Sequence, residues 1–337
     1  MIRAIGEFLD WRKHGYADAQ ALGECLRAMV GEGFDQLPLP AAGRTLERWQ
    51  TLACVAGHDL GLCKLYEGHT DALAIMTELG APAPGTGFTW GTWAAEPPQA
   101  RVSVTGEGEN LRLHGRKAWC SGAAVVSHGL LTAWDENGFQ QLVALPMDQP
   151  GVQVTQDGWR AVGMAATGSF DIRLDHARGW RVGEPGAYLA RPGFWQGGIG
   201  IAAVWYGAAQ ALAQRLLQHA GKRPEPHSLA HLGAVDVALN GAGTLLRAAA
   251  AELDRLPGAN AELLARRCRA GIEHAAEQVM LHVGRALGAG VYCKDAGFAR
   301  LAADLPVFLR QSHAEQDLAA LGELTCSQLP AAKAWAL

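Results

Sequence analysis

The sequence predicts an α+β protein in which a helical segment, an antiparallel β module and a second helical segment follow one another. Three observations predict this. Apolar residues recur at three- and four-residue steps up to about residue 80, alternate from there to about 185, and return to helical spacing after Pro192. Asn137-Gly138, with apolar runs on both sides, is the strongest hairpin signal in the chain. With 49% apolar and 18% charged residues over 337 positions, the chain can bury a large core and is not a disorder candidate. The expected domains are 1–85 (helical), 86–185 (β, barrel-like) and 186–337 (a four-helix bundle).

In the first domain, Leu46, Trp49, Leu52, Ala53 and Ala56 mark one helix, and the run from Leu65 through Ala72, Ile75 and Met76 to Leu79 marks another. Gly80 closes that helix, and a linker follows over 81–87. In the β domain, strands are expected at Val102/Val104, Leu111/Leu113, 130–134, 139–145, Val152/Val154 and Phe170/Ile172/Leu174. The bundle begins with a helix near Gly198. The stripes Leu232–Leu253 and Leu264–Ala286 give two more, and a last helix is expected from an Asp304 cap to near Gly322.

Bulk properties exclude several function classes. The net charge of −4, with no Lys/Arg cluster above three residues, gives no footprint for nucleic acid or anionic membrane. Seven scattered cysteines without a CxxC pair suit reduced thiols in the cytoplasm. The first 13 positions mix acidic and basic residues, unlike a secretory signal. Gly193–Gln214 carries no charge, but its Gly, Ala, Trp205, Tyr206 and Gln content reads as a buried helix, so no membrane insertion is expected. No HExxH, ExxH, GxSxG or P-loop motif occurs, and no metal site is expected. Gly198-Ile-Gly200-Ile-Ala-Ala203 matches GxGxxA but lacks the preceding strand and the following acid of a dinucleotide site, so close helix packing is its reading.

The most informative stretch is GRKAWCSGA, residues 115–123, with GMAATGSFDI following at 163–172. On a regular strand Trp119 and Ser121 project to one face, placing a flat ring beside a hydroxyl donor. That pairing suits a flat cofactor with a polar edge, such as isoalloxazine. Taken alone, it reads more readily as a core tryptophan followed by an ordinary Ser-Gly turn.

These segments and their surroundings resemble the acyl-CoA dehydrogenase-like flavoproteins, from about residue 45 to 322. The resemblance implies that fold, FAD as cofactor, a homodimer or homotetramer, an acyl-CoA or related small-molecule substrate, and an electron acceptor whose identity it leaves open. It places Trp119 against the flavin and Ser121 at its N5/O4 edge. TWAAEPP, residues 92–98, is similar to the family's first strand and Thr-Glu-Pro turn. Glu96-Pro97 is kept and Ala95 replaces the threonine, so flavin contacts there would come from the backbone of Trp93 and Ala94. Ala165 stands where the family commonly has an Arg facing acyl-CoA. Gly288 and Gly290 match a glycine-rich loop on the FAD pyrophosphate, a segment that also reads as a helix C-cap, and Arg223 matches an Arg on FAD.

The implied activity is oxidation of a CH–CH bond in an acyl thioester, with α-proton abstraction and hydride transfer to flavin N5. Neither family position for the base holds a carboxylate here: Ala319 and Ala190 occupy them. Asp317 and His313 are the candidate bases, and Asp317 also reads as a solvated helical carboxylate. Two alternatives fit these losses. One is a flavin-dependent monooxygenase or oxidase of the same fold; the other is a non-catalytic relative acting as a subunit or binding partner.

Overall fold

The computed structural model describes residues 1–12, 16–82, 85–328 and 335; Ala83 and Pro84 of the expected linker lie outside them. In chain order the elements begin with helices α1 (Ile2–Trp11), α2 (Ala19–Gly31), α3 (Thr45–His58) and α4 (Leu60–Glu78). The strands are β1 (Trp90–Trp93), β2 (Val102–Thr105), β3 (Arg112–Cys120), β4 (His128–Trp134), β5 (Gln140–Pro146), β6 (Val152–Val154), β7 (Phe170–Arg178) and β8 (Trp180–Val182). The remaining helices are α5 (Ala187–Ala190), α6 (Gly193–Lys222), α7 (Pro226–Arg255), α8 (Glu262–Leu287), α9 (Ala289–Lys294), α10 (Ala296–Leu309) and α11 (Glu315–Gln328). Fold class and element order are those the periodicity predicts.

The elements gather into two compact units. One holds α2, α4, the strands and α5; the other holds α1, α3 and α6 to α11. In the first, the sheet runs β6-β7-β3-β2-β4-β5-β8, with β1 pairing β4 off that path. Neighbours are antiparallel except that β1 and β2 pair with β4 in parallel. The Asn137-Gly138 turn forms as expected: Gly138 takes a positive φ, and the Asp135 carboxylate accepts the amides of Asn137 and Phe139 at 2.9 and 2.8 Å. The core of this unit joins Ala72, Ile75 and Met76 of α4 to Trp90, Leu130, Leu142, Ala144 and Val182 of the sheet.

In the second unit, Gly207 rather than Gly198 or Gly200 is the close-approach glycine. A Cβ there would collide with the Ala53 backbone of α3, whereas one at Gly198 would meet nothing. The C-terminal helices differ from the expectation. Asp304 is not a cap but lies inside α10, which continues through Pro306; Asp295 caps that helix, its carboxylate accepting the Phe298 amide at 3.0 Å. A break at 310–314 then separates α11. By length and composition α7 is the one helix among the described residues able to cross a membrane.

Candidate functional site

The site forms where β3 meets β7. Their register slips between Lys117 and Cys120, so two residues of β3 oppose Asp171 alone, which is a β-bulge. Asp171 holds it: one carboxylate oxygen accepts the Trp119 amide at 3.2 Å, the other the Arg116 Nε at 2.6 Å. Trp119 thereby takes a φ of 58°, a region costing a non-glycine residue about 1–3 kcal/mol. The bulge interrupts the regular alternation on which the expectation of a shared Trp119/Ser121 face rests. Trp119 is 49% exposed, while Ser121 keeps only 9%.

Trp93, at the end of β1, is buried, and its indole N–H donates to the Ser121 carbonyl at 3.1 Å. Its ring lies over Gly91 and Gly129, where a Cβ would collide with it. Behind Ser121 a hydroxyl chain runs through Ser169 to Thr167, with 2.7 Å at each step, and ends on the Met164 carbonyl at 2.7 Å. The three segments singled out by motif, 92–98, 115–123 and 163–172, therefore meet in space.

Beside them lies an ion pair between buried Lys117 and half-buried Glu96. Lys117 has no exposure, and its ammonium donates to the Thr132 carbonyl, the Thr132 hydroxyl and Glu96 at 2.9, 2.7 and 3.2 Å. Glu96 also accepts from the Thr132 hydroxyl at 2.6 Å and the Trp134 indole at 2.8 Å. Burial pushes the Glu96 carboxyl up, but these donors and the Lys117 charge outweigh it and hold it below the ordinary carboxylate value. Burial pushes the Lys117 ammonium down, and Glu96 only partly restores it. Burial also pushes the Cys120 thiol up, keeping it neutral and a poor nucleophile.

The residues named from sequence on the C-terminal helices belong to the helical unit. Arg223 is exposed beyond the end of α6. Gly288 caps the end of α8 with a φ of 63°, and Gly290 lies in α9. Asp317, in the first turn of α11, accepts the His313 amide at 2.9 Å and pairs with Arg266 at 3.3 Å. His313 is exposed, and its imidazole is 3.9 Å from that carboxylate. Sequence reasoning missed Ser169, Thr167, Asp171, Lys117, Thr132 and Trp134, whose roles depend on strand register.

Neither a protein-family model nor a curated protein matches this sequence. Solved structures do match. KijD3, in complex with FMN and dTDP-3-amino-2,3,6-trideoxy-4-keto-3-methyl-D-glucose, is 18% identical over 90% of this chain and 86% of its own, with a TM-score of 0.75. TdsC from Paenibacillus sp. A11-2, in complex with FMN and indole, is 17% identical over 94% and 98%, with a TM-score of 0.73. The methanesulfinate monooxygenase MsuC from Pseudomonas fluorescens is 20% identical over 94% and 98%, with a TM-score of 0.69. The chain has the acyl-CoA dehydrogenase-like fold.

Proposed function

We propose that the chain is a flavin-dependent oxidoreductase, holding the ring against Trp119 with its polar edge at Ser121, and that it is a monooxygenase using reduced FMN. The observation that carries this is the half-exposed Trp119 indole, turned out of β3 by a bulge that buried Asp171 locks. Backbone strain of this kind persists only where its surroundings enforce it, and it concentrates at ligand sites. The residues fit the group: an aromatic face open to a flat ring, with Ser121, 9% exposed, two positions along the chain.

Bound and reduced, the flavin supplies two electrons, with which dioxygen yields one oxygen atom on the substrate and the other in water. Trp119 covers a ring face and keeps water from it. Ser121 meets the polar edge, and Trp93 fixes the Ser121 backbone through its carbonyl. Glu96, gripped by Lys117, Thr132 and Trp134, holds the loop after β1 in place and with it the backbone of Ala94.

FMN rather than FAD is supported by the FMN present in the KijD3 and TdsC complexes. Desaturation of an acyl-CoA with FAD has less support. Alanines occupy positions 165, 190 and 319, and Asp317 is engaged by Arg266 and the His313 amide. Seven cysteines, all unpaired, support a reducing, cytoplasmic setting. Val237 and Leu229, exposed on α7, support self-association.

The test is uptake of FMN, with FAD in parallel, by the purified chain. The expected product shows visible flavin absorbance, bleached anaerobically by an external reductant and not by a panel of acyl-CoA thioesters. Bleaching by a thioester would replace the monooxygenase by a dehydrogenase. A chain that takes up neither flavin would be the non-catalytic relative.

A further inference from the structure

The hydroxyl chain behind Ser121 has a direction. Each serine or threonine hydroxyl carries one proton and can accept in return. The Met164 carbonyl can only accept, so the Thr167 proton points to it across 2.7 Å. Thr167 Oγ1 then has only lone pairs for Ser169, which must donate to it across 2.7 Å. Ser169 has no proton left and accepts from Ser121, again across 2.7 Å. Thr167 is 0% and Ser169 3% exposed, so bulk water offers these hydroxyls no other partner. Any other arrangement leaves two oxygens at hydrogen-bond distance with no proton between them. Ser121, with its proton committed inward, presents lone pairs outward.

We propose that this chain makes Ser121 an acceptor at the flavin edge, with Ser169 and Thr167 as positioning residues, so that the site prefers the reduced ring. The proposal rests on the flavin reading above. The N5 of an oxidised flavin carries no proton and only accepts; the N5 of a reduced flavin carries one and donates. An acceptor at that edge therefore stabilises the reduced form selectively, which suits a protein that must hold reduced flavin until substrate and oxygen arrive. Ser121 as a donor, the role the motif alone suggests, would select the opposite form.

Two variants reverse the direction without touching Ser121. Ser169→Ala removes the acceptor and frees the Ser121 proton to turn outward. Thr167→Val, nearly isosteric, removes the acceptor for Ser169, whose proton then turns to Ser121 and displaces the Ser121 proton outward. Thr167→Ser keeps the chain.

The experiment measures FMN dissociation constants anaerobically, in the oxidised and the chemically reduced state, for the full chain and these variants. The wild type is expected to bind reduced FMN the more tightly. In Ser169→Ala and Thr167→Val the ratio shifts toward the oxidised form by about tenfold, which lowers the midpoint potential of the bound two-electron couple by about 30 mV. Thr167→Ser keeps the wild-type ratio. An unchanged ratio in a folded Thr167→Val that still binds FMN overturns the directed chain and leaves the flavin reading standing. A wild type that binds FMN in neither state overturns both.

Discussion

The two compact units use polar side chains differently. In the helical unit several serve the starts of helices. Asp295 caps α10, Asp254 accepts the Gly43 and Thr45 amides at the start of α3, and Asp317 accepts the His313 amide ahead of α11. Helix starts leave amides unpaired, so such groups are required by the fold alone. In the strand unit the backbone is already paired along the sheet, yet Lys117, Glu96, Asp171, Ser121, Ser169 and Thr167 form networks beyond that pairing. Burying them is costly unless every partner is present. The lesson is to seek function where polar groups exceed what the backbone needs, which here is around the bulge at Trp119.

The sharpest way to break this contrast is Lys117→Met, which leaves the Glu96 carboxylate without its buried counter-charge. Urea unfolding should show a loss of about 1–3 kcal/mol, the cost of leaving the Thr132 carbonyl and hydroxyl and the Glu96 carboxylate without the Lys117 donor. Adding Glu96→Gln should recover part of it, and a loss no larger than an exposed ion pair gives would dissolve the network.

The pH dependence of stability tests the same pair. Between the depressed folded value of Glu96 and the ordinary 4.5, the unfolded chain binds more protons than the folded one, so stability falls as pH falls. Unfolding followed through this window should show a shallower acid loss in Glu96→Gln than in the wild type.

On the helical side, Asp254→Ala should cost about 1–2 kcal/mol, the value of a cap, and leave flavin affinity unchanged. The smallest effects belong to Asp317→Asn and His313→Ala. Flavin binding and turnover should stay within about twofold of wild type, because a half-exposed ion pair is worth about 1 kcal/mol or less. Abolished turnover in either would restore a catalytic base on α11.

The sequence made much of this legible. Alternation located β2, β3, β6 and β7, because a half-buried strand must alternate, while Asn137-Gly138 marked the hairpin of β4 and β5, whose central residues are all buried. It missed β8, three residues long and too short to show a period. Asp304-Leu-Pro306 looked like a helix start, but Asp295 caps α10 and the helix continues through the proline. Trp119 and Ser121 stand out by residue type; their unequal exposure does not, because the bulge depends on Asp171, 52 positions away. The Ser121–Ser169 contact likewise spans 48 positions and depends on how β7 pairs with β3. No local pattern encodes that register.

The central claim is that a flavin ring lies on the Trp119 indole, and FMN titration of Trp119→Ala tests it most directly. Because that side chain is half exposed, the variant should melt close to the wild type. Its FMN affinity should fall about tenfold or more, in line with the about 1–3 kcal/mol that stacking a ring on an aromatic side chain contributes. Wild-type FMN affinity in a folded Trp119→Ala would contradict the account.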